Sequence, residues 1–102
     1  MGGQGGVKIP SDFCCPEYIA DMIARIKNNW NQNQKVDGKT VMSFVIHRNG
    51  LIDDIRVAES SRNALLDLAA QRALINTKAL APLPAGYTPQ RLPIELEFVY
   101  TR

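Results

Sequence analysis

The order of patterns along the chain predicts an α+β domain of two layers, a three-stranded antiparallel sheet covered by two helices. Three observations carry that prediction. Apolar residues recur at helical spacing in two stretches, they alternate at strand spacing in three others, and turn signals separate the five. The order is helix, strand, strand, helix, strand. A small sheet with one apolar face needs a cover, and two amphipathic helices supply it. With 102 residues, 22% charged and 45% hydrophobic, the chain has room for one core and no second domain.

The elements follow in sequence. Residues 1–12 carry Gly, Lys, Pro, Ser and Asp without apolar period and read as a flexible linker remnant, leaving 13–102 as the domain. The first helix opens at Pro16, where a missing N–H costs nothing, with Glu17 placed to suit the helix dipole. Tyr18, Ile19, Met22, Ile23, Ile26 and Trp30 form its apolar stripe, and Asp37-Gly38 marks the turn beyond. Thr40 to Arg48 reads as a strand with Met42, Phe44 and Ile46 on one face. Asn49-Gly50 predicts a type I′ hairpin, which needs positive φ at both residues. Leu51 to Glu59 returns, with Leu51, Ile55 and Val57 on one side and Ile52, Asp54, Arg56 and Ala58 on the other.

The Ser60-Ser61-Arg62-Asn63 segment offers N-caps for a second helix whose stripe is Leu65, Leu66, Leu68, Ala69, Ala73 and Leu74, ending near Asn76-Thr77. A loop through Pro82-Leu83-Pro84 leads to the last strand, Leu92 to Tyr100. There Leu92, Ile94, Leu96, Phe98 and Tyr100 point one way, and Pro93, Glu95, Glu97 and Val99 the other. Proline cannot donate to a ladder, so this strand is expected to be an edge, or Pro93 to sit at its start.

Composition excludes several function classes. Twelve basic against ten acidic residues give a net charge of +2, too weak to argue for nucleic acid. Arg25, Lys27, Lys35, Lys39 and Arg48 are scattered and read as solvated, while Tyr18 and Trp30 read as core. No apolar run approaches the ~20 residues that cross a bilayer, and no secretory signal opens the chain. The expectation is a domain soluble as it stands, either cytoplasmic or a fragment separated from its targeting segment. Catalysis needs convergent groups. The single histidine, His47, reads as an exposed strand-end residue, Asp53 and Asp54 fall on opposite strand faces, and no phosphate-loop motif is present. No catalytic residue, metal site or cofactor is expected. A bridge between the adjacent Cys14 and Cys15 closes a tight ring, so the expectation is free thiols near a helix start or, in an oxidising compartment, intermolecular pairing.

What remains is binding through backbone. An edge strand exposes unpaired N–H and C=O groups that accept a partner's strand, and the final strand with Glu95 and Glu97 suits this; the same glutamates equally serve to protect an edge against aggregation.

The pattern as a whole resembles the carboxy-terminal domain family of TonB and TolA, energy transducers of the Gram-negative envelope. The similar residues are Tyr18, Ile26 and Trp30, then Phe44-x-Ile46-x-x-x-Gly50, Val57-x-x-Ser60-Ser61, Leu66-Asp67-x-Ala69-Ala70-x-x-Ala73, Pro82-Leu83-Pro84, and Ile94 with Phe98. The resemblance implies a non-enzymatic periplasmic domain whose parent chain is anchored in the inner membrane and coupled there to a motor complex. In the TonB branch the domain takes a short peptide of an outer-membrane transporter by strand addition. In the TolA branch it meets other envelope proteins. The family's working surface maps onto Leu92, Ile94, Glu95, Leu96, Glu97, Phe98, Val99 and Tyr100, and the segment before the first helix contributes through Pro16 and Tyr18. The sequence Cys15-Pro16-Glu17-Tyr18-Ile19 departs from the TonB-like Gln-Pro-x-Tyr-Pro, and Asn28-Asn29-Trp30 is closer to TolA-type members. A TolA-like scaffold, or a homodimer formed through the edge strand, is the alternative.

Overall fold

A computed structural model describes residues 3–10 and 13–101. The elements are β1 (Gly3–Lys8), α1 (Pro16–Asn28), β2 (Gly38–His47), β3 (Ile52–Glu59), α2 (Ala64–Thr77) and β4 (Arg91–Tyr100). The sheet is four-stranded, in the order β1-β4-β2-β3, with every neighbouring pair antiparallel. The α+β class and the two covering helices stand, and the strand count is corrected from three to four. The added strand comes from the segment read as flexible. Gly3–Lys8 carries almost no side-chain signal, because its place depends on backbone groups meeting the free side of β4. Met1, Gly2, Ser11 and Asp12, which shared that reading, lie outside the described residues.

Helix α1 starts as expected, with Pro16 in its first turn, and buries Ile19, Met22 and Ile26. It stops at Asn28, so Trp30 follows the helix rather than completing its stripe. Trp30 is nonetheless buried. Its ring packs edge-on against Phe98 and Tyr100, and Nε1–H donates to the Tyr100 hydroxyl at 2.9 Å. Tyr100 in turn donates to the Leu66 carbonyl at 2.8 Å, so one buried chain of hydrogen bonds joins the end of α1, β4 and α2. Burial pushes the Tyr100 hydroxyl up to about 12, with Trp30 opposing and Asp67 adding to the rise.

The hairpin differs from a type I′ turn. Gly50 N donates to His47 O and His47 N to Leu51 O, and only Gly50, at φ 92°, has positive φ. That is a three-residue loop, a type I turn closed by glycine in a bulge. Glycine is needed twice over there, since a Cβ would run into the Leu80 carbonyl. A second bulge, between Ser43↔Arg56 and Val45↔Asp53, includes Asp54 at φ 55°. It changes the phase of β3. Ile52 opposite Ile46 and Val57 opposite Met42 therefore share the core face, although strict alternation puts them on different sides.

Helix α2 is capped by Asn63, whose side chain accepts from Leu65 N at 3.0 Å. It buries Leu66, Ala70, Ala73 and Leu74 and leaves Leu65, Leu68 and Ile75 exposed. Leu65 and Leu68 are thus not part of the inward stripe. The helix is apolar almost all round, and contact with the sheet selects which stripe is covered.

Candidate functional site

The two sides of β4 are occupied unequally. On one side β2 pairs with it from Arg91 to Tyr100 without interruption. On the other, β1 pairs only with the middle and end, through Gly3↔Val99, Gln4↔Phe98, Val7↔Leu96 and Lys8↔Glu95. A bulge interrupts even this short ladder between Gln4 and Val7. The strand expected to be an edge is therefore covered over half its length, and Pro93 stands near its start, beyond the reach of β1. Past Lys8 a groove of about 470 Å³ opens over Pro93, walled by Lys8, Ile9, Pro10, Ser43 and Val45.

The residues singled out on β4 divide by face. Leu92, Ile94, Leu96, Phe98 and Tyr100 are core residues under the helices, with at most 2% of their surface exposed. Their side chains are spent on packing, so these positions offer a partner only their backbone. Glu95, Glu97 and Val99 lie on the outer face. Glu97 accepts from the Gly6 amide at 2.8 Å and lies 3.8 Å from the Lys39 ammonium. The outer side of the β1 lane thus carries Glu95, Glu97 and, from β3, Glu59, beside Gly6, Val7 and Lys8. On the inner side Ile23, Ile26, Lys27 and Trp30 overhang Leu96 and Phe98 and leave a small apolar cleft.

Pro16 is exposed at the start of α1, whereas Tyr18 is half-buried. The Tyr18 hydroxyl donates to the Ala81 carbonyl at 2.7 Å, and its ring tilts against Phe13. Burial raises its pKa, helped by Asp21 and opposed by Arg25. Tyr18 is a strut between α1 and the proline-rich loop. Cys14 and Cys15 form a disulfide with each other, which corrects the expectation of free thiols. The pair sits against Gly86, where a Cβ would come within 3.0 Å of Cys14 Sγ, and the adjoining Phe13 ring meets Tyr87 at 5.2 Å. The surroundings that seat the bridge come from a loop seventy residues away in the chain, out of reach of a local reading.

Two further residues organise the site from behind, and sequence reasoning missed both. Arg48, read as solvated, donates to the carbonyls of Leu83, Pro84, Tyr87 and Pro89 and so fixes the loop that leads into β4. The available signal was an arginine beside a tight hairpin followed later by a loop rich in proline, whose carbonyls lack ladder partners. Asp67 gathers the Thr40 hydroxyl at 2.8 Å, the Ser61 amide at 2.9 Å, the Ser61 hydroxyl at 2.7 Å and the Ser60 hydroxyl. Partial burial pushes its carboxyl up, but these four donors outweigh burial and hold it at about 2. His47 lies 3.2 Å from Asp53 at the exposed hairpin end. The Asp54 amide and then His47 lower the Asp53 pKa.

No helix among the described residues is long and apolar enough to cross a membrane. The TonB C-terminal family profile matches residues 15–98. The solution NMR structure of the Helicobacter pylori TonB C-terminal domain superposes with a TM-score of 0.69 at 22% identity, covering 89% of this chain and 86% of that one. That likeness shows the fold. No match was found among curated proteins. The family match spans nearly all of the ordered domain, and the chain belongs to the TonB C-terminal family, the periplasmic interaction domains of energy-transducing envelope proteins.

Proposed function

We propose that this domain takes up an extended segment of an outer-membrane transporter, or of another envelope protein, as a strand beside β4, and transmits to it force generated at the inner membrane. The observation that carries the reading is the half-covered side of β4. Backbone groups from Glu95 to Val99 already pair there with a strand half made of glycine, and among the described residues Arg91 to Ile94 have no strand neighbour on that side. A ladder of main-chain hydrogen bonds supplies affinity whatever the partner's sequence. Glu95, Glu97 and Val99 would contact the partner by side chain. Leu92, Ile94, Leu96, Phe98 and Tyr100 would contribute backbone and a stiff base. Pro16 and Tyr18 would flank the site from the start of α1. The role is mechanical and binding rather than catalytic.

The test is amide-shift mapping of the ¹⁵N-labelled chain with a synthetic peptide from the periplasmic amino-terminal segment of an outer-membrane transporter. Shifts are expected at Arg91 to Val99. Shifts confined to Leu65, Leu68 and Ile75 of α2 would reject the reading and move the partner to the apolar stripe there.

A further inference from the structure

From the register of β1 and the two surfaces of its lane, we propose that β1 is a stand-in for the partner strand, and that the strand which displaces it alternates apolar with basic side chains. The inference rests on the strand-addition reading above and adds to it the partner's chemistry and the exchange.

Antiparallel residues directly opposite one another share a face. Val7, opposite Leu96, turns inward and packs against the core, whereas Lys8, opposite Glu95, turns outward. The chain's own strand therefore shows the rule for the lane, apolar toward α1 and cationic toward the glutamates. It follows that rule only at its end. Gly5 and Gly6 occupy the bulged middle and bring no side chain to either surface. The inner cleft between α1 and β4, lined by Ile23, Ile26, the stem of Lys27, Trp30, Leu96 and Phe98, is small and mostly apolar, so an apolar side chain on the inner face of the lane packs over it. On the outer side three carboxylates, Glu59, Glu95 and Glu97, face the lane, with Lys39 offsetting one of them at 3.8 Å. Glu97 currently takes the Gly6 amide, a bond exposed to water that a lysine side chain on an incoming strand can replace.

Exchange is favoured because β1 gives up little. Glycine loses more conformational freedom than any other residue when it is fixed in a strand. A strand of β-branched residues with basic ones between them loses less, sets apolar side chains over the inner face and pairs charges across the ladder. The same arithmetic disfavours an acidic strand, which would set like charges opposite Glu95 and Glu97.

Two short synthetic peptides test this on the 102-residue chain with its disulfide intact, one alternating valine and lysine, the other valine and glutamate. With the first, the amides of Val7 and Lys8 should move to unpaired shifts, and the one of the two that faces β4 should lose protection from hydrogen exchange, while Leu96 to Val99 stay protected. The glutamate peptide should bind about tenfold more weakly, which is what cross-strand charge pairs turned from attraction to repulsion supply. The variant E95Q/E97Q should remove that difference without unfolding the domain, since both side chains lie on the outer face. If the β1 amide that faces β4 stays protected while β4 shifts, the peptide has added without exchange; strand addition survives and the stand-in is rejected. Equal affinities for the two peptides reject the charge rule, and no detectable binding by either rejects the stand-in as well. Shifts that avoid β4 altogether reject both this inference and the function it rests on.

Discussion

The two edges of the sheet are built on opposite principles. The β3 edge is guarded by its own side chains. Asp53, Asp54, Arg56 and Glu59 are exposed along it, Arg56 pairs with Asp54 at 2.9 Å, and two bulges break the regular spacing that another strand would need. These are devices by which sheet proteins prevent edge-to-edge pairing. The β1 edge has fewer of them, one bulge and one lysine. Its sequence, Gly3-Gln-Gly-Gly-Val-Lys8, carries one charge and three glycines, and it covers only part of the strand beneath it. A sheet that closes one side with charges and covers the other with a weak strand of its own is asymmetric in a useful way. Growth is blocked at β3 and remains available beside β4.

Both edges nevertheless rest on one core, and the largest expected effect tests that. Trp30 holds the β4 end through Tyr100 and Phe98, and Tyr100 ties α2 by its bond to Leu66. Trp30→Ala should cost roughly 3–5 kcal/mol, a large part of the stability of a domain this size. Urea unfolding followed by hydrogen exchange should show β1 and β3 amides losing protection together. Loss confined to β1, with the global midpoint unmoved, would mean that Trp30 supports that edge alone and that the two edges are energetically separate.

The second effect is smaller and belongs to the β3 end. Asp67 ties the start of β2 to the Ser60-Ser61 turn that follows β3, so Asp67→Asn should cost about 2 kcal/mol, the range for hydrogen bonds to a charged group. The pH dependence has a definite sign. The folded carboxyl titrates at about 2 against an ordinary 3.8, so its contribution is complete above about pH 4 and fades as pH falls toward 2. Thermal melts of the parent should show that acid loss, and melts of Asp67→Asn should show less of it. Identical acid profiles would remove Asp67 from the account of the guarded edge.

These two residues also show what was readable without coordinates. Trp30 was identifiable as core because aromatic and aliphatic residues repeat at helical spacing, and the alternation of β4 assigned each of its side chains to the correct face. Periodicity reports burial well when an element is amphipathic. It fails where burial is uniform or placement depends on backbone. Helix α2 has apolar residues on several sides, so Leu65 and Leu68 could not be told from Leu66. Ile52 needed the bulge at Asp54, which depends on register with β2. β1 had no side-chain pattern to read, and Pro93 allowed β4 to be read as an edge or as a strand with proline at its start, of which the second matches the structure. Arg48 and the Cys14–Cys15 bridge take their meaning from the loop at 81–90, which meets them only after folding.

The smallest effect sharpens the contrast between the edges most directly. If β1 holds weakly because glycine is costly to order, restoring one side chain should tighten it. Gly6 lies outside the left-handed region, and a Cβ there would stand 3.6 Å from the nearest Glu97 oxygen, an ordinary contact. Gly6→Ala should therefore stabilise β1 by about 0.4–1 kcal/mol, mainly by restricting the unfolded chain. Hydrogen exchange at the Val7 or Lys8 amide that faces β4 should slow by about two- to fivefold, and a displacing peptide should bind more weakly by the same factor. Arg56→Ala on the β3 edge adds no such order, and it should leave exchange at Val7 and Lys8 unchanged. The pair separates two accounts of β1. If Gly6→Ala leaves exchange at Val7 and Lys8 as it was, the hold of β1 on β4 is set by the Glu97 bond and the ladder rather than by the freedom of its glycines. The weakness that invites displacement would then have to be sought in the bulge.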